Sequence, residues 1–183
     1  MIILLCGLSG AGKTTLAGCV KNRLSGSEIS IEVIDADEYR QKLFTDLQYS
    51  KEDRFENLRR LGFIASKFSN QGIVTIISAI NPYDSIRREL AETYQQVKVV
   101  HVDCSLDVLK ARDTKGLYKR AMLPDGHPQK LFNLTGINDP FEAPCKPHLH
   151  INTQNLTIAE SADMFSSFIE YHYYMSQVKS IAC

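Results

Sequence analysis

What the chain does not carry narrows it first. Its 21 basic and 21 acidic side chains cancel, so no overall field points to a nucleic-acid or membrane-surface partner, and any anion site must be local. No C-x-x-C pair occurs among its five cysteines, Cys6, Cys19, Cys104, Cys145 and Cys183. Their scatter argues against a zinc site and a disulfide framework and fits a reducing cytoplasm. No apolar run approaches the ~20 residues needed to span a bilayer, and Ile2 to Cys6 is too short for the apolar core of a signal peptide. The histidines, His101, His127, His148, His150 and His172, have no cysteine or carboxylate at ligand spacing and read as structural. Internal repeats and low-complexity tracts are absent as well. What remains, 183 residues with 44% apolar and 23% charged side chains, suits one soluble domain spanning 1–183.

The strongest positive signal stands at the start. Gly7-Leu8-Ser9-Gly10-Ala11-Gly12-Lys13-Thr14 follows the apolar run Ile2 to Cys6 and precedes a helical segment, Thr15 to Leu24. The pattern G-x-x-x-x-G-K-T between a strand and a helix is a phosphate-cradling P-loop. Its glycines let successive backbone N–H groups turn toward phosphate oxygens, and the helix adds the positive end of its dipole. Lys13 is expected to reach the β/γ-phosphates and Thr14 to take one position on Mg²⁺.

Strand and helix patterns then alternate, the signature of a parallel sheet covered on both faces. β-rich runs fall at Ile2 to Cys6, Ile31 to Asp35, Ile73 to Ala79, Val97 to Asp103 and Leu149 to Asn152. Ser50 to Gln71 opens with a cap signal and spaces Phe55, Leu58, Leu61 or Gly62, Ala65 and Phe68 for one helix face. Thr157-Ile-Ala-Glu160 is a capping box for a last helix, with Ile158, Ala162, Phe165 and Ile169 expected on its buried face. The one long irregular region, Leu123 to Pro147, is rich in glycine and proline and suits a lid or substrate loop.

A P-loop says that a nucleotide binds, and the residues that decide the chemistry lie elsewhere. Ligands of open parallel sheets bind beyond the strands' carboxyl ends, where Asp35 and Asp37 stand. Either could orient a hydroxyl, accept its proton or hold magnesium-bound water; either could instead simply cap the next helix. Arg40 follows Asp37 by one helical turn. Arg54 and Asn57, at i and i+3, read as a polar stripe opposite the apolar face: anion ligands, or a solvated surface with salt bridges.

The segments GLSGAGKTT, VIDADEYR, LQYSKEDRFENLRRLGFIA, IISAINPYDSIRREL, ARDTKGLYKRA and LTGINDPFEAP, in this order and spacing, together resemble the adenylylsulfate kinases from Ile2 to about Thr153. The resemblance implies a nucleoside-monophosphate-kinase-like P-loop NTPase fold: three α/β layers, a five-stranded parallel sheet and a mobile lid over about residues 112–147. It implies transfer of the γ-phosphoryl of ATP, with Mg²⁺, to the 3′-hydroxyl of adenosine 5′-phosphosulfate. ATP would lie on Gly7, Ser9, Gly10, Ala11, Gly12, Lys13, Thr14 and Thr15, with Arg112 near its adenine. Lys13 and Asp37 would be catalytic, and the metal would take Thr14 and, through water, Asp37. Acceptor contacts would come from Asp37, Arg40, Tyr49, Arg54, Asn57, Ile80, Asn81, Lys115, Leu117, Leu134 and Thr135. The partner implied is a small nucleotide, with a homodimer as the family's frequent assembly.

Three departures fall on the acceptor side. Ala36 replaces the usual glycine, which an ordinary backbone tolerates. Asn81 stands before Pro82-Tyr83 where the family commonly has a serine sometimes assigned a phosphoryl group, so transfer here is expected to be direct. Leu134 replaces an aromatic and is expected to face Tyr49 across the base; a smaller base would then fit, making the 3′-hydroxyl of cytidine diphosphoramidate an alternative acceptor. The segment Met122 to Pro128 also looks longer than the common form. A catalytically inactive nucleotide-binding protein is the reading from another class, and retention of Lys13, Thr14 and Asp37 argues against it.

Overall fold

The computed structural model describes residues 1–181, with side chains through Val178; Cys183 lies outside the described residues. The elements run β1 (Ile2–Cys6), α1 (Lys13–Arg23), β2 (Ile31–Asp35), α2 (Ala36–Lys42), α3 (Lys51–Ser69), β3 (Val74–Ser78), α4 (Asp84–Thr93), β4 (Val97–Asp103), α5 (Leu106–Arg112), α6 (Leu117–Ala121), β5 (Leu149–Asn152) and α7 (Ile158–Ile181). All five strands are parallel, in the order β2-β3-β1-β4-β5.

Burial of β1 on both faces explains its unbroken apolar run. Successive side chains leave opposite faces of the sheet, so Ile3 and Leu5 join Leu16, Val20 and Phe165 on the α1/α7 side. Ile2 and Leu4 join Leu58, Leu61 and Ile86 on the α3/α4 side. The sheet is therefore the middle of three layers. Among the described residues no helix is long and apolar enough to cross a membrane, and Cys6, Cys19, Cys104 and Cys145 are free thiols.

Both predicted helix starts are built as the sequence suggests. Ser50 accepts from the Asp53 N–H at 3.1 Å. Thr157 and Glu160 satisfy one another reciprocally, Glu160 N donating to Thr157 Oγ1 at 3.2 Å and Thr157 N to Glu160 Oε2 at 2.8 Å. Two side-chain assignments change. Ile158 is 61% exposed, whereas Ala162, Phe165 and Ile169 are buried, because the first turn of α7 overhangs a cavity instead of the sheet. Arg54 and Asn57 share the buried face of α3 with Leu58, Leu61 and Ala65. The helix outruns the sheet at its N-terminal end, so the same stripe that is apolar over the sheet becomes polar over the site.

Candidate active site

Strand register assembles the site. Asp35 pairs with Ser78, and Ser78 with Leu5, two residues before Gly7. The carboxyl ends of β1, β2 and β3 thus bring the P-loop, a carboxylate and a hydroxyl to one edge. Only glycine fits at position 7: its φ is +153°, and an added Cβ would lie 2.1 Å from the Val102 carbonyl oxygen. Gly12, at φ +97°, turns the chain into α1.

Lys13 folds back over this loop, its Nζ donating to the carbonyls of Gly7 at 2.9 Å and Leu8 at 2.8 Å. Burial lowers its pKa from the ordinary 10.5 to about 8, the Asp37 carboxylate offsetting part of that pull. The loop is braced from outside by Tyr118, whose hydroxyl donates to the Ser9 carbonyl at 2.8 Å.

The two aspartates separate by role. Asp35 is the cap of α2, its Oδ1 accepting from Asp37 N at 3.0 Å and Glu38 N at 3.3 Å, and its Oδ2 accepts from the Thr14 hydroxyl at 2.9 Å. Ser78 Oγ lies 3.0 Å from the same hydroxyl. Asp37 makes no cap; it is 66% exposed and stands 3.6 Å from Lys115 Nζ across the mouth of the site. Ala36 lies inside the first turn of α2, where ordinary helical backbone makes the missing glycine immaterial.

Three cavities share walls along this edge. One of about 310 Å³ lies over Gly12 and Thr15, bounded by Arg112, Thr153, Leu156 and the first turn of α7. The central one, about 230 Å³, lies among Ser9, Lys13, Thr14, Asp35, Ser78 and Lys115. The third, about 50 Å³, lies among Arg40, Tyr49, Arg54, Asn57, Asn81 and Pro82. Asp37 and Ile80 line both the central and the third cavity. The arrangement is three adjoining cavities, the central one over the P-loop, with one exposed carboxylate where the central and third meet.

Within the third cavity the polar groups differ in how they are held. Arg40 donates to the Gln48 carbonyl, and its guanidinium lies 4.9 Å from the centre of the Tyr49 ring. Arg54 is a strut: Nε donates to the Tyr49 carbonyl at 3.0 Å, and Nη2 to the Asn133 carbonyl at 2.7 Å and Asp139 Oδ2 at 2.9 Å. Asn57 Oδ1 and both amide atoms of Asn81 are buried without a hydrogen-bond partner. An unpaired buried polar atom is costly, and where it lines a cavity a ligand is the natural partner.

Three expected acceptor contacts lie elsewhere. Leu134 is buried in the α1/α7 core, and Leu117 packs against the same cluster. Thr135 is buried with its hydroxyl unpaired, but it does not line the third cavity. The cause is a tight turn in which the Leu134 carbonyl accepts from the backbone N–H of Ile137, Asn138 and Asp139. Gly136, at φ +89°, presses this turn against Leu8. Leu134 therefore does not oppose Tyr49, and the argument for a smaller base loses its footing. Conversely, Ser78, Asp139 and Thr153 join the site without a motif of their own, and Ser78 alone carries a sequence signal, at the end of a strand beside the P-loop.

The sequence and the fold have close counterparts. The family model described as Adenylylsulphate kinase matches residues 1–152. An adenylyl-sulfate kinase of Rippkaea orientalis is 37% identical over 98% of this chain and 96% of its own length. The structure of Mycobacterium tuberculosis APS kinase CysC, in complex with AMPPNP and APS, superimposes with a TM-score of 0.84 at 32% identity, covering 92% of this chain and 96% of that one. A hexameric APS kinase from Thiobacillus denitrificans aligns with a TM-score of 0.67 at 28% identity, over 94% of this chain and 29% of that one.

Proposed function

The chain belongs to the adenylylsulfate kinase family, and from that premise we propose that it transfers the γ-phosphoryl group of ATP to the 3′-hydroxyl of adenosine 5′-phosphosulfate, yielding 3′-phosphoadenylyl sulfate and ADP. The observation that carries the reading is Asp37, which lines the phosphate cavity and the neighbouring cavity at once. A carboxylate at that junction meets both the transferring phosphoryl group and the hydroxyl that attacks it.

Phosphoryl transfer needs positioning and neutralisation more than covalent help from the protein. The P-loop N–H groups hold the donor phosphates. Lys13, protonated below about pH 8, leaves its two carbonyl partners for the γ-phosphoryl oxygens. Asp37 orients the 3′-hydroxyl and takes its proton as the new O–P bond forms and the bond to the ADP oxygen breaks. Lys115, opposite Asp37, places a second cation over the transfer path. Asn81 has no hydroxyl to phosphorylate, so the phosphoryl group passes directly from donor to acceptor.

The Thr14, Asp35 and Ser78 oxygens, clustered within 3.0 Å of one another through Thr14, fit a hard cation that keeps most of its waters. Thr14 and Asp35 would hold Mg²⁺ here, with Asp35 taking the part first assigned to Asp37 because Asp35 is the carboxylate that touches Thr14. Bound there, the ion neutralises phosphate charge.

We read residues 1–183 as one cytoplasmic kinase unit with its lid over about 112–147. The family's frequent homodimer is part of the same reading; exposed Phe63 on α3 is the surface to examine by sedimentation. The decisive assay is direct: purified protein, ATP, Mg²⁺ and adenosine 5′-phosphosulfate, with nucleotide products separated and weighed. Formation of 3′-phosphoadenylyl sulfate at turnover rates supports the reading. Faster turnover of cytidine diphosphoramidate, or none of either, defeats it.

A further inference from the structure

One buried cation beside the acceptor cavity has no role in the chemistry above. Arg87, on the first turns of α4, is 2% exposed, yet the only carboxylate paired with it among the described residues, Asp84, is 3.3 Å away and itself half-exposed. Its other partners are neutral carbonyls from two separate segments: Nη1 donates to Asn81 O at 2.6 Å and Nη2 to Glu142 O at 2.7 Å. Its Nε has no partner among the described residues. Burying a guanidinium on such terms is a poor way to stabilise a core, where an apolar side chain of similar volume often does as well or better. What the planar fork supplies is geometry, since it reaches two carbonyls at fixed directions.

Both ends of that fork matter to the site. Asn81 holds φ at +52°, a left-handed conformation that persists only where its surroundings enforce it. One residue earlier, the Ile80 carbonyl accepts from Gly7 N at 3.1 Å, so the same turn rests on the P-loop. Glu142 lies in the last part of the long irregular segment, and the joint is tied twice more: Glu142 N donates to Pro82 O at 2.8 Å, and Asp84 N to Glu142 Oε2 at 2.7 Å.

We propose that Arg87 is a positioning residue that locks the Ile80–Asn81 turn and the end of the lid segment into one unit, so that the acceptor meets Asn81 already aimed into its cavity. This rests on the acceptor assignment made above. Occupation of the third cavity and order in the lid segment are then coupled through this joint, with the guanidinium as its buried member.

The test is steady-state kinetics of the full chain and Arg87→Lys, which keeps the charge and loses the fork, with limited proteolysis across residues 122–141. Losing one charge-assisted hydrogen bond predicts a KM for adenosine 5′-phosphosulfate raised about tenfold. The KM for ATP should rise less, by no more than about threefold, since Arg87 reaches the central cavity only through Ile80, beside its partner Asn81, and cleavage of the lid segment should be faster. Equal rises in both KM values, or an unchanged acceptor KM in a folded variant, would overturn the proposal. Should Arg87→Lys not fold, Glu142→Ala loosens the same joint from the exposed side; it should give a smaller rise confined to the acceptor, and no rise overturns the proposal. Inactivity of the parent chain toward this acceptor would count against the proposed function instead. The proteolysis then still decides, with unchanged cleavage in the variant disproving the lock.

Discussion

The donor and acceptor halves of the site are built on opposite terms. On the side proposed for the donor, the side chains of the P-loop cavity already have protein partners: Lys13 lies on two carbonyls and Thr14 on Asp35 and Ser78. On the acceptor side Asn57 Oδ1 and the Asn81 amide are buried and unpaired, while Arg40 and Arg54 are held by carbonyls and by Asp139. The difference teaches how each half is specified. A phosphate cradle made of backbone N–H groups needs only a loop conformation, and its side chains can wait on internal partners until ATP arrives. A pocket that reads one acceptor needs polar atoms that only that acceptor satisfies, and it leaves them unpaired at a cost in stability.

If this contrast holds, variants on the two sides should fail differently. The largest effect belongs to Lys13→Ala, which removes the mobile cation of the donor side; kcat should fall at least about 10³-fold in single-turnover assays. Asp37→Asn, at the junction, should lower kcat about 10²- to 10⁴-fold. Its ATP dissociation constant, measured by calorimetry, should change less than about threefold, because Asp37 contacts Lys115 and not the P-loop. A matching loss of ATP affinity would merge the two halves.

Arg54→Ala should raise the acceptor KM about tenfold or more and destabilise the fold by ~2 kcal/mol, less than a fully buried pair because Asp139 is partly exposed. Denaturant titration and ATP binding check it together, and weakened ATP binding would contradict the assignment of Arg54 to the acceptor side. A smaller effect is pH-dependent and confined to the donor side. The free enzyme's Lys13 titrates near 8, and phosphate favours its charged form. ATP affinity should therefore decline by up to about tenfold per pH unit above 8. The sign for stability is opposite. Between about 8 and 10.5 the unfolded chain holds the extra proton, so the burial penalty that is full below pH 8 is relieved as pH rises through this window. Smallest is Asn81→Ser, which restores the family's usual residue but not a side chain suited to φ +52°; the acceptor KM should shift about two- to fivefold, read in the same kinetic series.

The donor side was legible residue by residue because it is local in sequence. Gly7 to Thr15 contains its own geometry, and all five strands fall within one residue of where apolar periodicity places them. Asp35 and Asp37 could not be told apart that way, since either suits a cap; the distance of Asp35 Oδ2 from Thr14 separates them. Spacing alone leaves Arg54 and Asn57 open between anion ligands and a solvated stripe, because periodicity shows which face a residue occupies, not how far a helix extends past the sheet it covers. Leu134 was misplaced for a related reason. A motif gives its position in the chain, whereas the hydrogen-bonded turn at 134–139 gives its direction.

By itself, then, the sequence determined the phosphate loop and the layered parallel sheet, because these follow from short-range patterns: glycine spacing, strand alternation and helix caps. Tertiary structure alone decided which aspartate caps α2 and which stands exposed at the junction of two cavities, that Arg54 braces the third cavity and Asn81 lines it, and that Arg87 joins the two segments behind it. Those roles depend on contacts between residues as many as 85 positions apart, and nothing in the local sequence encodes which carbonyl a buried guanidinium will meet.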